Sequence, residues 1–441
     1  MLLAESMSKP ELNNKRITNA WCMYDWANSV YSLTITTAVF PIYYEAVTKG
    51  VDEKGIVDFF GWQLPNTVLY SYALSFSFLF TALILPLLTG MADYGGKKKF
   101  FLKVFAYLGS LACAGLFFFD GDNIEFGILM SVLASIGYSG SLVFYDAYLP
   151  EIASADRYDR LSARGYSFGY VGSVLLLIFN LVMIEMPELF GLEDGSLPAK
   201  ISFLTVAVWW AGFSQIPFKR LPDNVYNRQA VGNYLVKGYE EIRKVYRSLK
   251  DQPMLKRYLW AFFFFNGGVQ AVMYLATLFG TTELKLNQTS LIATVLIIQL
   301  VAIGGAYAFA RLSEVRGNVF SLSIMIFVWI GVCVIAFFVQ NDIQFYGLAF
   351  IVGIIMGGIQ ALARATYSKL IPANTIDHAS YFSFYDVLEK VAIIIGTFTF
   401  GFVNQITGSM RTSLLVMGAF FIIGLILLFS VRVKPIEAQS N

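Results

Sequence analysis

Twelve stretches of 16 to 34 residues in this chain contain no Asp, Glu, Lys, Arg or His. They run 26–44, 59–92, 104–119, 126–145, 165–184, 201–218, 258–282, 286–310, 317–341, 343–363, 391–410 and 412–431. A helix crosses the ~30 Å hydrocarbon core with about 20 apolar residues. Lipid offers no partner to backbone N–H and C=O groups, and a helix satisfies them internally. The stretches cover most of the 441 residues, so the chain reads as an all-α membrane protein with twelve transmembrane helices. Runs this long exclude an outer-membrane barrel, whose strands are about 10 residues of alternating polarity. Charged residues make up 14% of the chain, against about 25% in a soluble domain, and no nucleic acid is expected as a partner.

Lys and Arg are sorted by side. With the stretches numbered as spans 1 to 12 and the N-terminus inside, inner segments hold 26 basic residues. Outer loops hold five (Lys49, Lys54, Lys200, Lys285 and Arg411), and Lys390 falls within span 11. The positive-inside rule then places both termini in the cytoplasm. The expected organisation is a cytoplasmic arm over 1–19, a six-helix bundle over 20–220, a cytoplasmic linker over 221–256, a second bundle over 257–432 and a tail over 433–441.

Landmarks recur between the two bundles. Span 2 ends in Asp93 and Gly96, and span 8 ends in Glu314 and Gly317, each pair 221 residues apart. Leu149-Pro150 after span 4 recurs as Ile371-Pro372 after span 10, at an offset of 222. Six spans is an even number, so both halves begin on the same side and form a parallel pseudo-two-fold repeat. Transporters built this way hold solute near the midplane, between the halves. In the linker, Leu235, Tyr239, Ile242, Tyr246 and Leu249 recur at helical spacing, which predicts an amphipathic helix lying on the inner leaflet or against the bundle.

Several segments carry a family resemblance. Trp21-Cys-Met-Tyr24-Asp25-Trp26-Ala-Asn28-Ser29-Val-Tyr31 opens span 1. There follow Ala92-Asp93-Tyr-Gly-Gly-Lys97, Phe144-Tyr-Asp146-Ala-Tyr-Leu149-Pro150 and Asp159-Arg160-Leu161-Ser162. Later come Gly357-Gly-Ile-Gln360-Ala-Leu-Ala-Arg364 and Phe382-Ser-Phe384-Tyr385-Asp386. Together these resemble the major facilitator superfamily transporters of the UMF1-type, or Atg22-like, branch, akin to the fungal vacuolar amino-acid effluxer. The chain departs from the superfamily loop at Thr89, where Gly is usual, and at Tyr94, where a basic residue often follows the Asp. The resemblance implies two six-helix bundles (the major facilitator fold), alternating access, and a small solute of which amino acids are the family's best-known example.

The charged residues inside this apolar chain are the candidates for chemistry, because a charge in a membrane segment is costly without a function. Asp93 with Lys97 and Lys98 is expected to gate the inner end of span 2 by capping a neighbouring helix and pairing with the basic loop. Asp146, one turn before Pro150, and Arg364, two turns before Pro372, are expected to meet across the inner vestibule; Asp146 with Arg164 is the competing pair. In span 11, Asp386 and Lys390 stand four apart and can meet on one helix face. That leaves Glu389 as the surplus acid and leading proton-coupling candidate, with Asp25 in span 1 as another.

Asn28, Tyr31, Tyr138, Asn266, Gln270 and Gln360 are the expected solute contacts, and Tyr70 and Tyr72 could add to the wall. Gly267 and Gly268 would permit a bend beside Asn266, or serve only to pack helices. Gly165 and Gly169 read as a helix-packing pair. His378 falls on an expected inner loop with no Cys or His at ligand spacing, so no metal or cofactor is expected, and Cys22, Cys113 and Cys333 read as buried thiols. The function expected is secondary transport of a small polar solute across a bacterial inner membrane, proton-coupled, with proton, solute and lipid as partners. A polytopic membrane enzyme and a transporter-derived receptor or sensor are the rivals.

Overall fold

The computed structural model describes residues 11–49, 55–193, 195–228 and 234–433. The first ten residues of the expected arm, most of the expected tail and the basic loop residue Lys54 lie outside them. Helices α1 (Lys15–Val30) and α2 (Val39–Lys49) flank a π-helical turn over Tyr31–Ala38, and together form the first crossing. The other five crossings of the first half are α3 (Asn66–Gly95), α4 (Lys98–Gly115), α5 (Ile124–Asp146), α7 (Tyr158–Glu185) and α8 (Leu197–Arg220). A short α6 (Leu149–Ile152) lies between α5 and α7. Helix α9 (Tyr234–Ser248) occupies the linker. The second half comprises α10 (Pro253–Thr282), α11 (Gln288–Arg316), α12 (Asn318–Phe338), α13 (Asp342–Leu370), α14 (His378–Thr407) and α15 (Met410–Phe429).

Ten of these helices are individually long and apolar enough to cross a membrane. The divided first crossing and the charge-bearing α14 bring the total to twelve. The apolar stretch and the helix differ in several places, two of which change the reading. Residues 59–65 belong to a hairpin, β1 (Ile56–Phe59) and β2 (Trp62–Pro65), and α3 begins only at Asn66. Both turn residues have positive φ, Phe60 at 50° and Gly61 at 83°, as a two-residue type I′ turn requires. Helix α14 begins at His378, well before the charge-free stretch at 391, so His378 is the first residue of a helix rather than part of a loop.

The recurring glycines do the same task twice. Gly96 (φ 63°) follows α3 and Gly317 (φ 85°) follows α11, each turning the chain through a region that side chains rarely tolerate. The seam between halves repeats too: α3 packs on α14, and α11 on α7. Span 2 therefore meets span 11 as span 8 meets span 5, the relation a parallel two-fold repeat demands.

The polar linker lies at one end of the bundle, called here the linker end. Asn13 bonds Ile152 there, Lys99 donates to the Leu221 carbonyl, and Arg257 donates to the Ser430 carbonyl. The chain therefore enters, crosses between halves and leaves at the same end. The amphipathic stripe expected in α9 divides: Val245 is buried, whereas Tyr239 and Tyr246 point outward. The side chain of Leu235 is outside the described set.

Candidate functional site: a cavity sealed at the linker end

A cavity of about 330 Å³ lies between the halves, lined from α1, the π turn, α3, α5 and α7 on one side and α10, α11, α13 and α14 on the other. It extends to Leu291 and Phe345, each one turn from the far end of its helix. The π turn supplies Tyr31, Ser32, Thr36 and Thr37 to the wall. Its widened i→i+5 spacing is stabilised where Thr37 Oγ1 donates to the Ser32 carbonyl at 2.8 Å; such turns concentrate at functional sites.

Arg364 forms the floor. It is 2% exposed and donates from Nη1 to Asp146 Oδ1 (2.9 Å), from Nη2 to Asp25 Oδ2 (3.4 Å), and from Nε to Ser162 Oγ (2.9 Å). Its guanidinium stacks over Tyr166 at 4.3 Å and Trp21 at 4.7 Å, a cation–π arrangement that a desolvated cation favours. Tyr145 donates to Asp25 at 2.6 Å, and Trp21 Nε1 donates to the Tyr145 carbonyl at 3.0 Å. Asp25 thus sits in the Arg364 layer rather than apart from it. Arg164 takes Asn19 Oδ1 at 2.7 Å instead of Asp146.

Below this floor the halves are stitched again. Asp159 accepts from Ser313 (2.8 Å), Asn318 (2.8 Å) and Lys369 (2.6 Å), all in the second half. Arg160 meets Glu314 at 2.8 Å near the surface. Asp93 accepts the amides of Ala379 (3.3 Å) and Ser380 (2.7 Å), capping α14. The expected Asp93–Lys98 pair is replaced: buried Lys98 pairs with Glu151, which also faces His378 Nδ1 at 3.1 Å. Two charges buried together are costly unless they pair with each other, whereas Asp93 is already served by two amides. Lys97 is exposed at the turn.

The linker closes over this end. Arg228 (2.6 Å) and Lys244 (2.7 Å) converge on Asp377, the residue preceding α14. Burial works against the Lys244 ammonium, but its hydrogen bond to Asp377 and that carboxylate's charge prevail and hold its pKa above the usual lysine value.

A second charged layer stands on α14. Lys390 donates to Asp386 at 2.6 Å, as the four-residue spacing predicts. Glu389 accepts from Asn266 Nδ2 and Gln270 Nε2, both at 3.3 Å. These amides, expected to face solute, are held by the surplus acid, although all three line the cavity. Tyr170 donates to Gln360 Oε1 at 2.7 Å across the cavity. Asn28 and Tyr138 also line it, Tyr138 against Tyr31 with ring centroids 4.9 Å apart. Tyr70 packs among Phe40 and Tyr44 and Tyr72 is 62% exposed on the outer surface, so neither belongs to the wall.

Helix α10 runs unbroken through Gly267 and Gly268, which admit the Ala392 backbone and the Phe421 ring. Gly165 and Gly169 likewise seat α7 on α1. Sequence reasoning missed Ser162, Tyr145, Trp21, Tyr166, Glu151, Asp159 and Lys369 as seam residues. Several stand in the motifs quoted above, but nothing local shows that their partners lie in the other half. Among the described residues no cluster of His, Cys, Asp or Glu could hold a metal ion, and all three cysteines are buried and unpaired with each other.

Two like-oriented six-helix halves around a cavity sealed at one end define a secondary transporter of the major facilitator class. The model of the family described as vacuole effluxer Atg22 like matches residues 13–439, and the chain belongs to that family. It is 30% identical over 419 residues to the MFS-type transporter YxiO of Bacillus subtilis (strain 168), covering 94% of this chain and 95% of that one. Among solved structures, the proton:xylose symporter XylE bound to 6-bromo-6-deoxy-D-glucose superposes with a TM-score of 0.69 at 12% identity, covering 97% of this chain and 99% of that one. The transporter FucP in its outward conformation does so with a TM-score of 0.66 at 11% identity, covering 94% and 97%. At such identities the likeness is one of fold. Membership in a transporter family, rather than the absence of any motif, is what speaks against the membrane-enzyme reading.

Proposed function

We propose that this chain carries a small polar, amino-acid-like solute across a bacterial inner membrane by proton-coupled alternating access, with both termini cytoplasmic. The observation behind this reading is the pair of charged layers in one cavity. The Arg364 layer with Asp25 and Asp146 seals the linker end, and the α14 layer presents Glu389 between two amides. Each layer holds two carboxylates and one cation, so the cavity carries a surplus of acid able to take up protons. Asn28, Tyr31, Tyr138, Asn266, Gln270 and Gln360 contact solute. Asp93, Lys98, Asp146 and Arg364 close the gate, Arg164 and Lys97 border it, and Asp386 and Lys390 set the field at Glu389. In this reading the structure is the outward-facing state, and the proton moves with the change of state.

The test is uptake of labelled amino acids into proteoliposomes under an imposed pH gradient, for wild type and Glu389→Gln. The expected result is gradient-driven accumulation by wild type, and in the variant solute exchange without accumulation. Accumulation by the variant at the wild-type rate rejects Glu389 as the proton site. No movement of any amino acid by wild type rejects the solute class.

A further inference from the structure

Helix α9 has two faces with different tasks. Gly238 and Val245 are buried, and Gly90 of α3 is in such close contact with the Gly238 carbonyl that a Cβ there would not fit. At 100° per residue, Val236, Tyr239, Arg243, Tyr246 and Arg247 fall within about a 100° arc on the opposite side, and Lys250 continues the arc past the helix end. Val236, Tyr239 and Tyr246 are 54%, 62% and 58% exposed, and Arg243, Arg247 and Lys250 are exposed with no ion pair among the described residues. The acid at the rim, Glu240, is already taken by Lys237 at 2.6 Å.

The face lies where lipid ends. Helix α9 rests on α3 at Gly90 and Met91, just beyond the outward-pointing Leu79, Leu83 and Ile84 of the same helix. Tyr246 approaches Phe384 of α14, with ring centroids 6.3 Å apart. Tyrosines settle at headgroup depth, and cations beside them reach the anionic leaflet surface. We propose that Tyr239, Arg243, Tyr246, Arg247 and Lys250 form a binding site for anionic phospholipid headgroups in the leaflet bordering the linker end. Its occupancy bears on the gate, because the same helix donates Lys244 to Asp377, next to the α14 amides that Asp93 caps. Lipid that pins α9 holds the closed end closed. This inference does not depend on the identity of the solute.

The test is thermal unfolding of the full chain in dodecyl maltoside micelles, titrated with phosphatidylglycerol, phosphatidylcholine or inorganic phosphate. Phosphatidylglycerol is expected to raise the wild-type midpoint by about 2–4 °C, and the other two to leave it unchanged. The triple variant Arg243→Gln, Arg247→Gln, Lys250→Gln keeps its lipid-free midpoint and loses the response. A charge-preserving variant (Arg243→Lys, Arg247→Lys, Lys250→Arg) retains it. An undiminished response in the Gln variant, an equal response to phosphatidylcholine, or reproduction of the shift by free phosphate overturns the proposal.

Discussion

Arg364 of α13 donates to Asp146 of α5 at 2.9 Å, joining residues 218 positions apart on opposite halves. This bond and the 3.4 Å contact to Asp25 leave one buried cation facing two carboxylates. Breaking a buried pair from one side costs about 3–5 kcal/mol, because the other charge stays behind uncompensated. Arg364→Gln is therefore expected to lower the thermal midpoint sharply and loosen the linker end. Adding Asp146→Asn should recover part of the loss, since one of the stranded charges is gone, but not gated transport. The checks are a double-mutant cycle on the unfolding midpoint and solute flux in proteoliposomes. Normal flux in Arg364→Gln alone would falsify the gate.

The cap on α14 makes a separate prediction. Asp93 holds the Ala379 and Ser380 amides, two of the four N–H groups a helix start leaves open. Losing such a cap costs about 0.5–2 kcal/mol. Asp93→Ala should lower stability by that order, and Asp93→Asn, which keeps an acceptor, by less. Both should raise the labelling rate of a cysteine placed at Ser380, which is fully buried at the closed end. Equal labelling in wild type and Asp93→Ala would show that the cap does not hold the end shut.

The fold was legible because lipid makes one demand everywhere: a long uncharged run must be a helix. The exceptions have local causes. The hairpin at 56–65 is as uncharged over its second strand as the helix after it, so the absence of charge could not separate them. The start of α14 was hidden because Asp386, Glu389 and Lys390 are tolerated inside a helix whose polar face lines a cavity. Asp386–Lys390 could be read from spacing alone, being four residues apart on one helix. Asp146 with Arg364 came from the repeat, which set two span ends opposite each other. Asp159 with Lys369, and Glu151 with Lys98, had no such guide: each joins residues whose own neighbourhoods offer other partners, and only the packed fold selects among them.

The buried Lys98–Glu151 pair invites a comparison of its two members. Glu151 also faces His378 across the seam, whereas Lys98 has Glu151 and the Tyr148 ring, 5.3 Å away. Lys98→Met removes the cation and strands Glu151 with one neutralising neighbour at most. Lys98→Met with Glu151→Gln removes both charges at nearly constant volume. The single variant should lose about 3–5 kcal/mol, and the double variant markedly less. Chemical denaturation in mixed micelles measures the difference. Equal losses would mean that the pair is not coupled.

Two glycines on one face of α7 separate packing from gating. A Cβ at Gly165 would run into Asp25 Oδ2, with the Trp21 ring at 3.1 Å and Arg364 Nη2 at 3.2 Å. Asp25 has little freedom to withdraw, because Tyr145 holds the same oxygen at 2.6 Å. A Cβ at Gly169 would run into Ser29 Oγ, which can turn about its bond, with Ser29 Cβ at 3.2 Å and the Asp25 carbonyl at 3.3 Å. Overpacking a tight site costs about 1–3 kcal/mol when the neighbours cannot yield, and less when one side chain can turn aside. Gly165→Ala is thus expected to displace Asp25, lower the midpoint and reduce the yield of a bis-maleimide crosslink between cysteines placed at Arg160 and Glu314, whose side chains meet at the closed end. Gly169→Ala should keep most of the stability and that yield. If the two variants behave alike, the face serves only to seat α7 on α1, and the Arg364 layer is not as tightly fitted as its distances imply.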